Sequence, residues 1–168
     1  MNKPTGLVPY RDDFRGALLP MIADFFDFHR GLLDKAPEED LLDDAAQVLE
    51  EWRDQGLALV TEGDTPVGFA RMAPRGGPVV WLEDLYVLPA YRGRGIATRA
   101  VTLCETYARE VLEAPALCVE VVSRNLDAMR LYRGLGFDSI SMITLRKELD
   151  GKNPRQTPTP FQGMEFFT

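Results

Sequence analysis

Glu83 and Asp84 stand in an apolar run, Trp81-Leu82-Glu83-Asp84-Leu85-Tyr86-Val87-Leu88, that leads into Arg92-Gly93-Arg94-Gly95-Ile96-Ala97. A carboxylate among apolar neighbours has its pKa raised, which suits a general base. The glycine-rich basic segment suits anion binding. It joins a strand signal to an amphipathic helix signal, so the first N–H groups of the helix and the positive end of its dipole converge on one spot. A phosphate or pyrophosphate fits there. Gly93 and Gly95 let the backbone approach the anion, and Arg92 and Arg94 add positive charge beside it.

The elements that position these groups are readable from periodicity. Leu7 to Tyr10 reads as a first strand. Residues 12–30 read as a helix that Pro20 should kink or split. A second helix spans 38–54, with acids at its start and an apolar stripe through Leu41, Ala45, Leu49 and Trp52. Leu57 to Thr61 and Val67 to Met72 form a hairpin, and Val79 to Leu88 is the central strand. Ile96 to Leu112 is helical, with apolar residues from Ile96 to Val111 at helical period. Leu117 to Ser123 is a nearly continuous apolar strand, parallel to the central one because a helix intervenes. Asn125 caps a further helix and Gly136 ends it. Ser139 to Leu149 reads as a last strand. Residues 151–160 carry no helix or strand signal, whereas Phe161 to Phe167 turns apolar again and is expected to dock on the sheet or on a partner subunit.

Three kinds of loop bind phosphates in this context. A Walker-type loop needs Lys and Ser/Thr after its last glycine, where Ile96 and Ala97 stand. A dinucleotide fingerprint wants a third glycine where Thr98 stands, and a strand that ends later than Leu88. Glu120 is available as its ribose-binding acid, so a dinucleotide-binding oxidoreductase stays open. The third is the best match. Arg92-Gly93-Arg94-Gly95-Ile96-Ala97 resembles the [Arg/Gln]-x-x-Gly-x-[Gly/Ala] loop of the GNAT superfamily, the acyl-CoA-dependent N-acetyltransferases. The block from Val121 to Phe137, with Asn125, Ala128, Leu131, Tyr132 and Gly136-Phe137, resembles the segment that follows in that family. Together the matches cover about residues 79–148.

The resemblance implies an α/β fold: a GNAT-like single domain over residues 1–150, with a mixed central sheet flanked by helices and splayed parallel central strands. Residues 151–168 then form a C-terminal extension. It implies acetyl-CoA as co-substrate and a primary amine as acceptor. Backbone groups of Leu85 and Val87 would hold the pantetheine and polarise the carbonyl. Arg92, Gly93, Arg94, Gly95, Ile96 and Ala97 would hold the pyrophosphate, and Asn125 would bond the cofactor arm. Trp81 to Tyr86 resembles the diamine and polyamine branch, in which an acid at the position of Glu83 relays the amine proton. Alternation puts Glu83 on the face of Trp81, Leu85 and Val87, with Asp84 and Tyr86 on the other. Asp84 is the alternative base, or a ligand for the acceptor ammonium. Tyr132 stands where the family has a tyrosine that protonates the leaving thiolate; the plainer reading is packing with Ala128, Leu131 and Leu135. An acyl-CoA-binding regulatory module without turnover is the other alternative.

Composition narrows the field further. The chain of 168 residues has 19 basic and 26 acidic side chains, a net charge of −7, which argues against a nucleic-acid partner. That charge is compatible with a cationic amine. No apolar run approaches a membrane span, and no apolar signal segment opens the chain, so a cytoplasmic protein is expected. Cys104 and Cys118 fall at apolar positions and read as reduced core thiols. Two cysteines and His29 give no metal site. His29 is expected at the surface or in a lid over the acceptor rather than in catalysis. Family members often dimerise, so a homodimer is consistent with the resemblance.

Overall fold

The structure, a computed structural model, describes residues 3–36, 38–147, 149 and 157–168. They fall into two compact units, Met1–Glu120 and Val121–Thr168.

The first unit is built on a five-stranded sheet in the order β1-β2-β3-β4-β5. The strands are β1 (Thr5–Pro9), β2 (Leu57–Glu62), β3 (Thr65–Pro74), β4 (Val80–Val87) and β5 (Leu117–Val119). The first four pair antiparallel, and β4 and β5 pair parallel, as a crossover helix requires. The sheet is therefore mixed. Helix α1 (Arg15–Leu32) and helix α2 (Leu41–Trp52) pack together on one cluster. Leu18, Met21, Ile22 and Phe25 of α1 and Ala45 and Leu49 of α2 meet Leu57, Phe69 and Tyr86 there. Helix α3 (Ile96–Glu110) lies against β1 and β4 with its own buried row, Ile96, Ala100, Val101, Cys104 and Ala108.

Pro20 lies inside α1 but does not split it. It removes a single ladder bond, to the carbonyl of Gly16, and burial of Leu18, Met21, Ile22 and Phe25 on both sides of it holds the helix together. Both cysteines are free; Cys104 is a core thiol, as expected, and burial pushes it up to about 12, whereas Cys118 is only partly buried and not in the core. No helix among the described residues is long and apolar enough to cross a membrane.

In the second unit, helix α4 (Leu126–Gly134) starts at Asn125, whose side chain accepts from the Ala128 N–H at 3.1 Å. Gly136 follows with φ +92°. Two expectations fail here. Residues 139–147 form no strand: Ile140, Met142 and Leu145 are exposed, and the segment has no ladder partner among the described residues. Alternating apolar residues favour a strand only where a neighbour takes up the backbone groups. Conversely, Pro158–Phe161 is a strand, β6, paired antiparallel with β7 (Met164–Phe167). Gln162 and Gly163, with φ +51° and +77°, make the tight turn. Thr157 and Thr168 exchange both backbone bonds, so Pro158 and Pro160 fall where a strand residue directs no N–H at its neighbour.

The Phe69 side chain is fully buried, with ring centroids of Phe25, Tyr86 and Trp52 5.5, 5.8 and 6.1 Å away. Phe69→Ala is expected to lower stability by about 3–5 kcal/mol, read as a shift of the urea unfolding midpoint. A loss under about 1 kcal/mol would mean that this cluster does not carry the core.

Candidate active site

The site begins with an irregularity in β4. Arg71 pairs with Asp84 and Met72 with Leu82, so Glu83 is an extra residue with no partner on β3. Such a bulge changes which way the following backbone groups point. Before it, the Val80 N–H is donated to Ala116 at 3.1 Å, on the β5 side. After it, the Leu88 N–H is donated to Val67 at 2.9 Å, on the β3 side. Residues 80 and 88 would point the same way in a regular strand. Tyr86 and Asp84 consequently bond β3, while Leu85 and Val87 turn their N–H and C=O groups away from it. The Val87 carbonyl confirms the direction: it accepts from Nε of Arg92 at 2.9 Å, outside the ladder.

β5 ends at Val119, opposite Leu82, earlier than the expected Ser123. The ladder on that side therefore stops one residue before the bulge. From Glu83 to Val87, β4 has a free edge among the described residues of its unit. This is the splay expected of the parallel pair, and the backbone groups left off both ladders are those of Leu85 and the Val87 N–H, the Val87 carbonyl being taken by Arg92.

β4 runs directly into the glycine-rich loop. A short 3-10 turn, Pro89–Tyr91, reverses the chain. Gly93 and Gly95 both adopt left-handed backbone, φ +72° and +71°. Gly95 is the N-cap of α3 and no side chain caps the helix. The first intrahelical bond is from the Arg99 N–H to the Gly95 carbonyl at 3.1 Å. The N–H groups of Ile96, Ala97 and Thr98 thus point outward at the positive end of a 15-residue helix. The Ile96 side chain is buried, so this residue offers its amide alone.

The two loop arginines do more than add charge. Arg92 bonds Val87 and lies over the rings of Phe28 and Tyr86, 5.2 and 5.5 Å from their centroids. Arg94 donates to Glu62 at 2.9 Å, and the Glu62 side chain is only 8% exposed. Arg99, one turn into α3, donates to the Arg94 carbonyl at 3.1 Å and to Oγ1 of Thr5 at 2.7 Å. The loop is thereby tied to β1 and β2.

Glu83 and Asp84 are both held by arginines. Arg75 donates from Nε and Nη2 to the two oxygens of Glu83 at 2.8 and 2.6 Å. The same Nη2 reaches Glu120 at 3.0 Å, and the guanidinium carbon lies 4.1 Å from the Trp81 ring centroid. Arg71 donates to Asp84 at 2.7 Å and covers the Trp52 ring at 4.7 Å. Asp84 and Tyr86 face α1 and α2, but the bulge breaks the expected alternation: Trp81, Asp84 and Tyr86 pair with Ala73, Arg71 and Phe69 on one face of β3, so Trp81 lies on the face of Asp84 and not on that of Leu85 and Val87. The expected electrostatics are reversed. The Arg75 guanidinium holds the Glu83 carboxyl below its ordinary value, against the opposing effect of burial. Burial pushes Asp84 up, opposed by Arg71. Arg75 and Glu120 carried no local signal of partnership with Glu83, because residues 75, 83 and 120 meet only through the β3–β4–β5 register.

Asn125 and Tyr132 belong to the second unit. Asn125 caps α4, and the Tyr132 ring lies 5.4 Å from that of Phe137, edge to face. His29 lies on α1 with Nδ1 3.0 Å from the Phe25 carbonyl. It lines a cleft of about 220 Å³ between α1 and α2, to which neither β4 nor the loop contributes. Among the described residues no group of His, Cys, Asp and Glu is arranged to hold a metal ion.

Comparisons with known proteins bear on the fold and the family. An aminoglycoside N(6')-acetyltransferase type 1 from Acinetobacter genomosp. 13 is 30% identical over 108 residues, which cover 56% of this chain and 70% of that protein. A ribosomal-protein-alanine N-acetyltransferase from Brucella melitensis biovar Abortus 2308 superposes with a TM-score of 0.65 at 18% identity, covering 86% of this chain and 100% of the other. The structure of AAC(6')-Iy with the bisubstrate analog CoA-S-monomethyl-acetylneamine superposes at 0.59 with 17% identity, over 87% of this chain and 99% of the other. The model of the acetyltransferase (GNAT) family matches residues 23–137. The chain belongs to that family, the acetyl-CoA-dependent N-acetyltransferases.

Proposed function

We propose that the chain acetylates a primary amine of a small, multiply cationic molecule, by direct attack of the neutral amine on acetyl-CoA. One observation carries this reading: the free edge of β4 leads, through one short turn and the glycine-rich loop, to the uncapped start of α3. A thioester arm laid along Leu85 and Val87 would end with its pyrophosphate on the amides from Gly93 to Ala97. The aminoglycoside acetyltransferase relative supports a small acceptor with several amino groups, and the net charge of −7 is consistent with one. Glu83 stands at the start of the free edge and is the base of this account; Asp84, held by Arg71, orients the acceptor side of the strand. Asn125 bonds the cofactor arm, and Tyr132 gives its proton to the departing thiolate. Atoms balance: the neutral amine nitrogen bonds the carbonyl carbon, the carbon–sulfur bond breaks, the proton that the nitrogen then sheds goes to Glu83, the thiolate takes one from Tyr132, and passage of the Glu83 proton through solvent to the Tyr132 phenolate restores both groups.

Three substitutions test these assignments. A Cβ at Gly95 would stand 3.0 Å from Nη1 of Arg99, on backbone with φ +71°. Gly95→Val is expected to weaken acetyl-CoA binding about tenfold to a hundredfold, given a cost of ~1–3 kcal/mol for such backbone. Calorimetric titration measures this, and near-normal affinity would sink the pyrophosphate assignment. Glu83→Gln should lower kcat/KM about a hundredfold with acetyl-CoA affinity unchanged. An unaltered rate would remove Glu83 as the base. Tyr132→Phe should lower kcat by a similar factor at constant KM for acetyl-CoA. If kcat does not move, Tyr132 serves only to pack on Phe137.

A further inference from the structure

We propose that Arg75 is a specificity-determining residue: it occupies both oxygens of Glu83, and an efficient acceptor must bring a second positive charge to take its place. This inference rests on the reading of Glu83 as the base. Arg75 reaches over Glu83 from the β3–β4 connection, where Gly76, with φ +76°, and Gly77 follow it with open space around both. The arginine side chain is 38% exposed and the carboxylate beneath it 12%. An accessible cation therefore covers a nearly buried base at the start of the free edge.

The chemistry of the arrangement sets a requirement on the acceptor. A guanidinium binding both carboxylate oxygens leaves neither well placed to take a proton. An alkylammonium is a point charge that can hold one oxygen and leave the other. Glu83, Glu120 and the face of Trp81 together suit such a cation. A diamine can use one nitrogen, charged, to displace Arg75 and the other, neutral, to attack the thioester. A monoamine has one nitrogen, which cannot be both. The remaining charges facing Glu83 do not substitute for Arg75: Arg71 is engaged by Asp84, and Glu120 shares Arg75 itself.

The test compares 1,4-diaminobutane with butylamine as acceptors for the wild type, Arg75→Ala, Arg75→Lys and Glu83→Gln. The wild type should prefer the diamine about tenfold or more in kcat/KM. Arg75→Ala should raise kcat/KM about a hundredfold for butylamine and about tenfold for the diamine, so that the preference collapses. Its acid limb should move to higher pH, because Glu83 loses the cation that holds it low. Arg75→Lys should also weaken the preference, because a lysine ammonium holds one oxygen of Glu83 and leaves the other to take the proton. A binding readout accompanies turnover: Trp81 emission on titration with 1,4-diaminobutane should saturate at about tenfold lower concentration in Arg75→Ala than in the wild type. An unchanged preference, an equal loss for both amines, or no tighter binding in Arg75→Ala would overturn the proposal. Full activity of Glu83→Gln on both amines would instead overturn the assignment of the base, whatever Arg75 does.

Discussion

The structure of the site depends on one extra residue in one strand. Without the bulge at Glu83, β4 would keep the parity set by Val80, and the groups of Leu85 and Val87 would be spent on β3. With it, the strand stays bonded to β3 on one side and offers N–H and C=O groups on the other. The same bulge explains why β5 stops where it does. A parallel ladder needs evenly placed groups on both strands, and β4 ceases to supply them after Leu82. A strand edge with backbone groups left off the ladder is ordinarily a liability. Here it leads, through a short turn and the glycine-rich loop, to a helix N-terminus, and in the reading we propose the extended, anionic cofactor covers those groups.

Fixing that track requires the loop to hold still before a ligand arrives, since an anion site assembled on binding must offset the entropy of ordering it. The ties are polar and long-range in sequence. Arg94 reaches Glu62 on β2, Arg99 reaches Thr5 on β1 and the Arg94 carbonyl, and Arg92 closes back on Val87. A buried carboxylate near an anion site is unfavourable unless it is paired. Arg94 pairs Glu62, and so keeps its negative charge from acting on the loop. The loop arginines are therefore partly structural, a role that their sequence pattern did not distinguish from direct phosphate contact.

How much of this was legible in the sequence follows from the range of each interaction. Gly93 and Gly95, the start of α3 at Ile96 and the cap at Asn125 are matters of a few neighbouring residues, and each was readable. Asp84 and Tyr86 were rightly assigned to one face because strand alternation is local. The bulge was not readable, since it exists only in the register between β3 and β4. The environment of Glu83 was misjudged for the same reason. Its apolar neighbours in sequence suggested a raised pKa, but Arg75 crosses a turn to hold it down. Residues 139–147 show the converse: alternation gives no strand where no neighbouring strand pairs with it among the described residues. In the tail, Pro158 and Pro160 hid a strand whose bonding positions they happen to avoid.

The central claim is that one continuous track of backbone groups, from Leu85 through Val87 to the amides of Gly93 to Ala97, receives the cofactor. Titration of acetyl-CoA into the isotopically labelled protein, followed by backbone amide resonances, tests it most directly. Saturable shifts are expected at Leu85, Val87, Gly93, Arg94, Gly95, Ile96 and Ala97, all on one binding curve. Saturation with those amides unmoved, and the shifts elsewhere, would contradict it.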